Sequence, residues 1–423
     1  MDKKNKKKFG RFYTPNSYAA MLSELVLNDF LASKPPNQFD ILDPSCGDGV
    51  FLIEIAKYLK NKMKRTKPLF KINLYGNDID QKAIHSAEEN LSGLTDGKFL
   101  NPRFSITDLL ISQSLGEKSK HKPDETCVQQ EKYDIIIGNP PWVSLIGKHA
   151  QKCYTKTQIN FLLRRYPCDT YRPNLFEMFI WRSLELLKPS GYLAFIVPDR
   201  LLHNKQYSDL RKVLFTKYEI HYLFHNLPFS GVNSDNIFFV LKNNNPCENF
   251  NMKIKSEPDD NWIGINQKWF YNNGCRSLST NPLVKKILDK IDNTTASKLS
   301  ENFYTGVGFI TDKNLISAEK CSPQQLKIVT GRDISSKGIK KHRYFDFTKE
   351  NLKGGTSNIS ILSKKPKILL RKTGNRLISC VDYKGLLPEQ SLYFIICKSN
   401  SKNHLNWLNI LLNSNIMSFY YLN

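Results

Sequence analysis

The stretch Asp40-Ile41-Leu42-Asp43-Pro44-Ser45-Cys46-Gly47-Asp48-Gly49-Val50-Phe51-Leu52 sets the reading of this chain. Asp40 to Asp43 is the short run of a strand, Gly47 and Gly49 punctuate a turn, and Phe51-Leu52-Ile53-Glu54-Ile55-Ala56 has the spacing of a helix. Glycines at such a corner let the backbone approach a ligand and leave N–H groups facing it. A single Gly-x-Gly occurs in many turns, so it gains weight only in company with other ligand-type corners.

Downstream the alternation persists. Lys71 to Tyr75 reads as a strand and Gln81 to Asn90 as a helix. Phe104 to Ile106 and Tyr133 to Ile137 are further strands, and a helix from Leu175 to Leu187 leads into the strand Tyr192 to Val197. Strands at Ile220–Phe224 and Ile237–Leu241 bring the set to seven. Strands alternating with helices imply an α/β domain whose mostly parallel sheet is covered on both faces, with ligands beyond the carboxyl ends of the strands. The polar stretch 112–132 reads as a loop, and 143–173 as a long basic and aromatic segment. Past Asn243 the alternation weakens, while β-type runs appear at Lys367–Leu370 and Leu392–Ile396. The expected organisation is a basic arm over 1–9, an α/β domain over 10–243 and a mixed α+β domain over 244–423.

Two more motifs fall at strand ends. Gly76-Asn77-Asp78-Ile79-Asp80 puts an acid about 30 residues beyond the glycine corner, the arrangement that accepts both hydroxyl protons of a ribose. A helix N-cap is the competing role, and Asp80 suits it. The strand at Tyr133 then runs into Gly138-Asn139-Pro140-Pro141-Trp142. Two prolines remove two backbone donors and stiffen the chain. The Asn139 side-chain carbonyl and the Pro140 backbone carbonyl are both acceptors, so together they suit one amino group, with Trp142 offering a flat face to a heterocycle. A plain Asn-Pro-Pro turn is the alternative; the position behind two ligand-type corners argues against it.

These motifs, in this order, resemble the gamma-class DNA adenine methyltransferases of restriction–modification systems. Gly10-Arg11-Phe12-Tyr13-Thr14-Pro15 is similar to the family's N-terminal motif, whose Thr-Pro pair lies beside the methionine part of S-adenosyl-L-methionine. The resemblance implies that Asp43, Pro44, Cys46, Gly47, Gly49 and Phe51 cradle the same end of that cofactor. It implies that Asp78, with Ile79, holds the ribose, and that Asp108, with Leu109, meets the adenine amino group. Asn139, Pro140, Pro141 and Trp142 match the catalytic quartet. Phe229 resembles the aromatic that stacks on the target base, with a buried core phenylalanine as its competitor. Thr330-Gly331-Arg332-Asp333-Ile334, Lys365 to Arg371, Leu386 to Ile396 and Leu411-Leu412-Asn413-Ser414 are similar to elements of the family's target-recognition domains. The implied fold is a seven-stranded Rossmann-like methyltransferase sheet followed by a DNA-recognition domain. Relatives usually continue beyond the point where Asn423 stands, so the recognition domain is expected to be short, truncated or completed by a specificity or nuclease partner. Few residues precede the Thr-Pro motif, so no cleavage activity is expected.

Composition points the same way. The 423 residues allow two to three domains, and 40% are hydrophobic. Lys and Arg number 62 against 39 Asp and Glu, a formal charge of +23, which favours a polyanionic partner such as double-stranded DNA. General solubility is the blander explanation. Nine cysteines without a CxxC pair argue against a disulfide framework and a zinc site and fit a reducing cytoplasm. No metal is expected. The lysine-rich start is followed by no apolar stretch, and no run approaches the ~18 apolar residues that span a bilayer. Lys148, Lys152, Lys156, Arg164 and Arg165 are expected to meet phosphates, with Tyr154 and Tyr166 free to stack; an ordinary solvated loop is the alternative. The expected chemistry is methyl transfer to the N6 amino group of a flipped adenine. RNA adenine, protein-glutamine and cytosine amino methylation, and a non-catalytic specificity subunit, are the rival readings.

Overall fold

The computed structural model describes residues 14–33, 35–63, 70–95, 99–111, 132–145, 154–168, 173–227, 236–256, 260–272, 274–275, 282–294 and 297–422. The chain divides into two compact units, Met1–Thr280 and Asn281–Asn423.

The first unit opens with helix α1 (Asn16–Ala32) and strand β1 (Gln38–Asp43), followed by α2 (Val50–Met63), β2 (Lys71–Asp78), α3 (Gln81–Ser92), β3 (Leu100–Ile106) and β4 (Tyr133–Gly138). Next come α4 (Lys156–Arg165), α5 (Leu175–Leu186), β5 (Leu187–Pro198), α6 (Arg200–His203), α7 (Ser208–Lys217), β6 (Glu219–Phe224) and β7 (Asn236–Lys242). Strands β8 (Asn251–Lys255) and β9 (Ile263–Asn266) and helix α8 (Gln267–Asn272) complete it. The sheet order is β3-β2-β1-β4-β5-β7-β6-β8-β9. From β3 to β5 all pairings are parallel, while β7 runs antiparallel to both β5 and β6.

Alternation explains why both sheet faces carry helices. In β4, Ile135 and Ile137 pack into the core beneath α1 and α2, whereas Tyr133 and Ile136 pack into the opposite core with residues of α5. In β5, Leu193, Phe195 and Val197 face one core, and Tyr192, Ala194 and Ile196 the other. All six residues of β4 are buried, as the central position requires. At the amino ends of the strands, Lys188 Nζ donates to Asp134 Oδ2 at 2.7 Å and to Asp40 Oδ2 at 3.2 Å, tying β5, β4 and β1 together. Asp29 near the end of α1 accepts from Tyr222 OH at 2.9 Å and lies 2.7 Å from His221 Nδ1, which fixes α1 on β6.

The seven expected strands are present, and two more, β8 and β9, extend the same sheet: β8 pairs parallel with β6 and β9 antiparallel with β8. Because Asn251–Lys255 and Ile263–Asn266 belong to this sheet, the units separate after Thr280 rather than after 243, where composition shifts. The basic and aromatic segment 143–173 contains α4, started by a capping box between Thr155 and Gln158. The loop expected over 112–132 lies almost wholly outside the described residues.

The second unit begins with α9 (Pro282–Thr294), α10 (Leu299–Asn302) and β10 (Phe303–Val307). It continues through β11 (Leu326–Val329), β12 (Ile334–Ser335), β13 (Gly338–Ile339), β14 (Arg343–Phe345), α11 (Ile359–Leu362), β15 (Lys367–Arg371) and β16 (Ser379–Asp382). Strands β17 (Leu387–Pro388) and β18 (Leu392–Cys397) precede helices α12 (Lys402–Leu412) and α13 (Asn415–Leu422). Its sheets are β10-β18-β15-β16, β14-β11-β17 and the hairpin β12-β13. Among the described residues no helix is long and apolar enough to cross a membrane.

Candidate active site

Strand order places the site. The chain moves outward from β1 through β2 to β3, then returns to lay β4 on the other side of β1. At such a switch point the connections leave in opposite directions and open a crevice at the carboxyl ends. Those ends are Asp43 of β1 and Gly138 of β4. They are so close that a Cβ on Gly138 would stand 2.8 Å from Asp43 Oδ1, so any side chain there would have to displace the Asp43 carboxyl group.

The turn after β1 is built around the cavity that opens there. Gly47 (φ 56°) and Gly49 (φ 86°) both take the left-handed conformation. Gly47 N donates to Asp78 Oδ2 at 3.0 Å, and a Cβ on Gly47 would meet nothing within 4 Å. Gly49 faces inward instead, where a Cβ would press on Ala87 Cβ at 3.1 Å and Leu91 at 3.2 Å. Asp78 Oδ1 accepts from Asp80 N at 2.9 Å, and Asp80 itself caps α3 by accepting from Lys82 N at 3.0 Å. Asp80 therefore fills the N-cap role, while Asp78 braces the glycine corner and the turn into α3.

Asn77 is a residue that sequence reasoning passed over. Its side-chain nitrogen donates to Pro44 O at 3.2 Å and to Thr107 O at 3.1 Å. Its oxygen accepts from Ser105 Oγ at 2.8 Å and Thr107 Oγ1 at 2.6 Å, so it staples the ends of β1, β2 and β3. Beyond β3, Asp108 accepts from Leu110 N at 3.0 Å and is also hydrogen-bonded by Tyr154. Asn139, Pro140 and Pro141 line the same cavity as Gly47, Asp78 and Asp108. Asn139 Nδ2 donates to Thr14 Oγ1 at 3.1 Å, so the residue before α1 orients the carboxamide that follows β4.

The cavity is strongly anionic. Among the described residues, Asp43, Asp48, Asp78, Asp80 and Asp108 line it against Lys82 as the single cation. Burial, aided by neighbouring Asp78 and Asp48, pushes the Asp43 carboxyl well up, against the pull of its hydrogen bond from Ser45 N. Burial also raises Asp48 and Asp108. Such a lining favours a cationic ligand, and the side chains of Phe51, Ile79 and Leu109 supply apolar walls.

Other expected site residues stand elsewhere. Pro15 is the N-cap residue of α1 and, like Gly49, does not line the cavity. Trp142 is half-buried against the cores on both sheet faces and is not among the lining residues. Phe229, Lys148 and Lys152 lie outside the described residues. Arg165 is engaged with Glu185 at 2.7 Å, whereas Lys156 is exposed on α4. Tyr166 is not free to stack: it is 2% exposed and donates to Leu110 O at 3.4 Å, because the apolar stripe of α4 continues into it.

Residues 72–229 match the family of Eco57I restriction-modification methylases, and residues 326–423 match the TaqI-like C-terminal specificity domain. The chain carries an Eco57I-type methylase domain and a TaqI-like specificity domain. The Type II methyltransferase M.VspI of Vibrio sp. (strain 343) is 26% identical over 344 residues, covering 79% of this chain and 72% of that protein. M.BstVI of Geobacillus stearothermophilus is 30% identical over 235 residues, which are 52% of this chain and 40% of that one. The chain thus spans less than half the length of the Geobacillus relative. In fold it is similar to a nuclease-deletion mutant of the Type ISP restriction-modification enzyme LlaGI, solved with a DNA substrate mimic, with a TM-score of 0.62, 12% identity, and coverage of 91% of this chain and 48% of that one. The methylase match holds the β2, β3 and β4 ends of the site; the glycine corner and Thr14 precede it.

Proposed function

We propose that this chain is a site-specific DNA methyltransferase that uses S-adenosyl-L-methionine to methylate the N6 amino group of adenine. The observation that carries the reading is the meeting of Asn139 and Pro140 with Gly47 and Asp78 in one anionic cavity at the sheet's switch point. The residues fit the cofactor. The carboxylates among the lining residues suit a sulfonium and an ammonium, the bare face of Gly47 leaves room for close approach, and the ribose hydroxyls are assigned to Asp78. Asp108, which lines the same cavity, is assigned the adenine amino group of the cofactor. When bound, the cofactor supplies an electrophilic methyl on a good leaving group.

The protein's part is alignment and electrostatics. The target amine lies inside the duplex stack, so the base must be extruded, at a cost of a few kcal/mol. Asn139 Oδ1 and the Pro140 carbonyl then accept hydrogen bonds from its two N–H groups, and one of these protons leaves to solvent once the amine has been methylated. Thr14 Oγ1 holds the Nδ2 end of the Asn139 amide, which turns the carbonyl end the other way. The reading of double-stranded DNA falls to the C-terminal unit, a role that its match to the TaqI-like specificity domain supports.

The test is to incubate the purified chain with labelled cofactor and plasmid DNA, digest to nucleosides and map the modified base. The expected product is N6-methyladenine within one recurring sequence. N4-methylcytosine would transfer the reading to cytosine, and label on RNA or protein with none on DNA would overturn it.

A further inference from the structure

In the second unit, the turn Gly331-Arg332-Asp333 is held from several sides. Gly331 N donates to Ser391 Oγ at 2.7 Å, while Arg371 donates through Nε to Gly331 O at 2.8 Å and through Nη2 to Ile334 O at 3.0 Å. Asp333 is wholly buried and accepts from Arg343 Nε at 2.9 Å, Thr330 N at 3.0 Å and Thr330 Oγ1 at 2.7 Å. Lys340 N donates to Asp333 O at 2.8 Å. Two arginines are thus spent on fixing a turn of three residues. Its middle side chain, Arg332, is exposed and makes no hydrogen bond or ion pair among the described residues.

Ser391 joins this turn to a second basic loop. Its carbonyl accepts from Lys372 N at 2.9 Å, and Lys372 Nζ lies 5.6 Å from the ring centroid of the part-exposed Tyr393. The hairpin β12–β13, whose tip carries Lys337, comes directly after the turn. Ser336 of that hairpin and Asn375 to Ile378 of the loop line one small cavity, so the two segments are adjacent. Together they expose Arg332, Lys337, Lys340, Lys341, Lys372 and Arg376. Over 330–345 the single acid is the buried Asp333, and over 370–381 there is none. The nearby Glu389 is 5% exposed and spent on Ser391. Six exposed cations thus stand in these two adjacent segments, with no exposed carboxylate in either.

We propose that these two segments seat the sugar–phosphate backbone of duplex DNA, with Arg332 and Lys372 as phosphate contacts whose positions are set before binding. The inference rests on the DNA methyltransferase reading. A side chain on a pre-fixed turn loses less freedom on binding, and phosphate contacts position the protein on its duplex irrespective of sequence.

The test is the binding of the full chain to short DNA duplexes of several sequences, by fluorescence anisotropy over a salt series. Arg332→Ala and Lys372→Ala are each expected to raise Kd about two- to fivefold on every duplex and to reduce the slope of log Kd against log salt by about 1. Arg332→Lys should restore the slope, since it keeps the charge. Lys349→Ala, an exposed lysine beside Glu350, is expected to change neither quantity. Both alanine variants alter exposed side chains, and unchanged melting temperature and cofactor affinity establish that they fold. Wild-type binding with both alanine variants unaltered would overturn the proposal alone. Loss at one sequence with an unchanged slope would also overturn it, by making Arg332 a base reader. A wild-type chain with no affinity for duplex DNA would overturn the function reading and this proposal with it.

Discussion

At the residue scale the account turns on the hydrogen bond from Asn139 Nδ2 to Thr14 Oγ1. An amide that rotated by half a turn would present N–H groups where the target amine needs an acceptor. Thr14→Val keeps the shape of the side chain but cannot accept, so kcat is expected to fall by about tenfold or more, one lost alignment bond, while cofactor Kd moves little. Thr14→Ser should recover most of the rate. Equal loss in kcat and cofactor affinity would reduce Thr14 to a wall of the pocket. Glu177 on α5 offers a test by pH. It is 1% exposed, and burial pushes its carboxyl up to about 7, partly offset by a hydrogen bond with Cys168. From about pH 4.5 to about pH 7 the unfolded chain releases a proton that the folded chain keeps, so Glu177 lowers stability as pH rises through that window. Glu177→Gln is expected to melt higher than wild type at pH 8, with the difference fading toward pH 5. Parallel melting curves at both pH values would contradict it.

At the element scale, the specificity domain carries a fully buried ion pair between β15 and β16: Lys367 Nζ donates to Asp382 Oδ2 at 2.7 Å. Asp382 also accepts from Lys384 N, Gly385 N and Leu386 N, which folds the chain toward β17. Asp382→Ala strands a buried ammonium and three backbone donors, and a loss of about 3–5 kcal/mol in denaturant unfolding is expected. Lys367→Met leaves the carboxylate its backbone donors and should cost less; the reverse order would contradict this reading. The elements legible in the sequence were those whose signals are local. Gly47 with Gly49, Asp78 and the double proline each mark a strand end by their own backbone chemistry, and the structure brings all three corners to one cavity. The Thr155–Gln158 capping box was equally local but was masked by the charge of its segment. β8 was hidden for another reason. Asn251-Met252-Lys253-Ile254-Lys255 buries only alternate residues and is held as a strand by β6 and β9, pairing that a short lysine-rich run does not announce. Trp142 and Tyr166 read as ligand faces because aromatic residues serve cores and sites alike; only packing separates the two uses.

At the scale of the whole molecule, the excess of positive charge, +23, is unevenly used. The charged residues lining the cavity at the switch point are carboxyl groups but for Lys82, while two adjacent segments of the second unit gather cations. A single net charge cannot reveal this division, because it depends on which strand ends and turns the fold brings together. It matches a molecule that holds a small cationic cofactor in one unit and a polyanion on the other. The decisive comparison is between cofactor affinity, by equilibrium titration, and the single-turnover rate of methyl transfer to DNA, in wild type, Asn139→Ala and Asp78→Ala. Asn139→Ala is expected to keep cofactor Kd within about twofold while the transfer rate falls by about 10² to 10³. Asp78→Ala should weaken the cofactor first. If Asn139→Ala lost cofactor affinity as steeply as it lost rate, the double-proline corner would be part of the cofactor's wall, and the account of methyl transfer built on it would be contradicted.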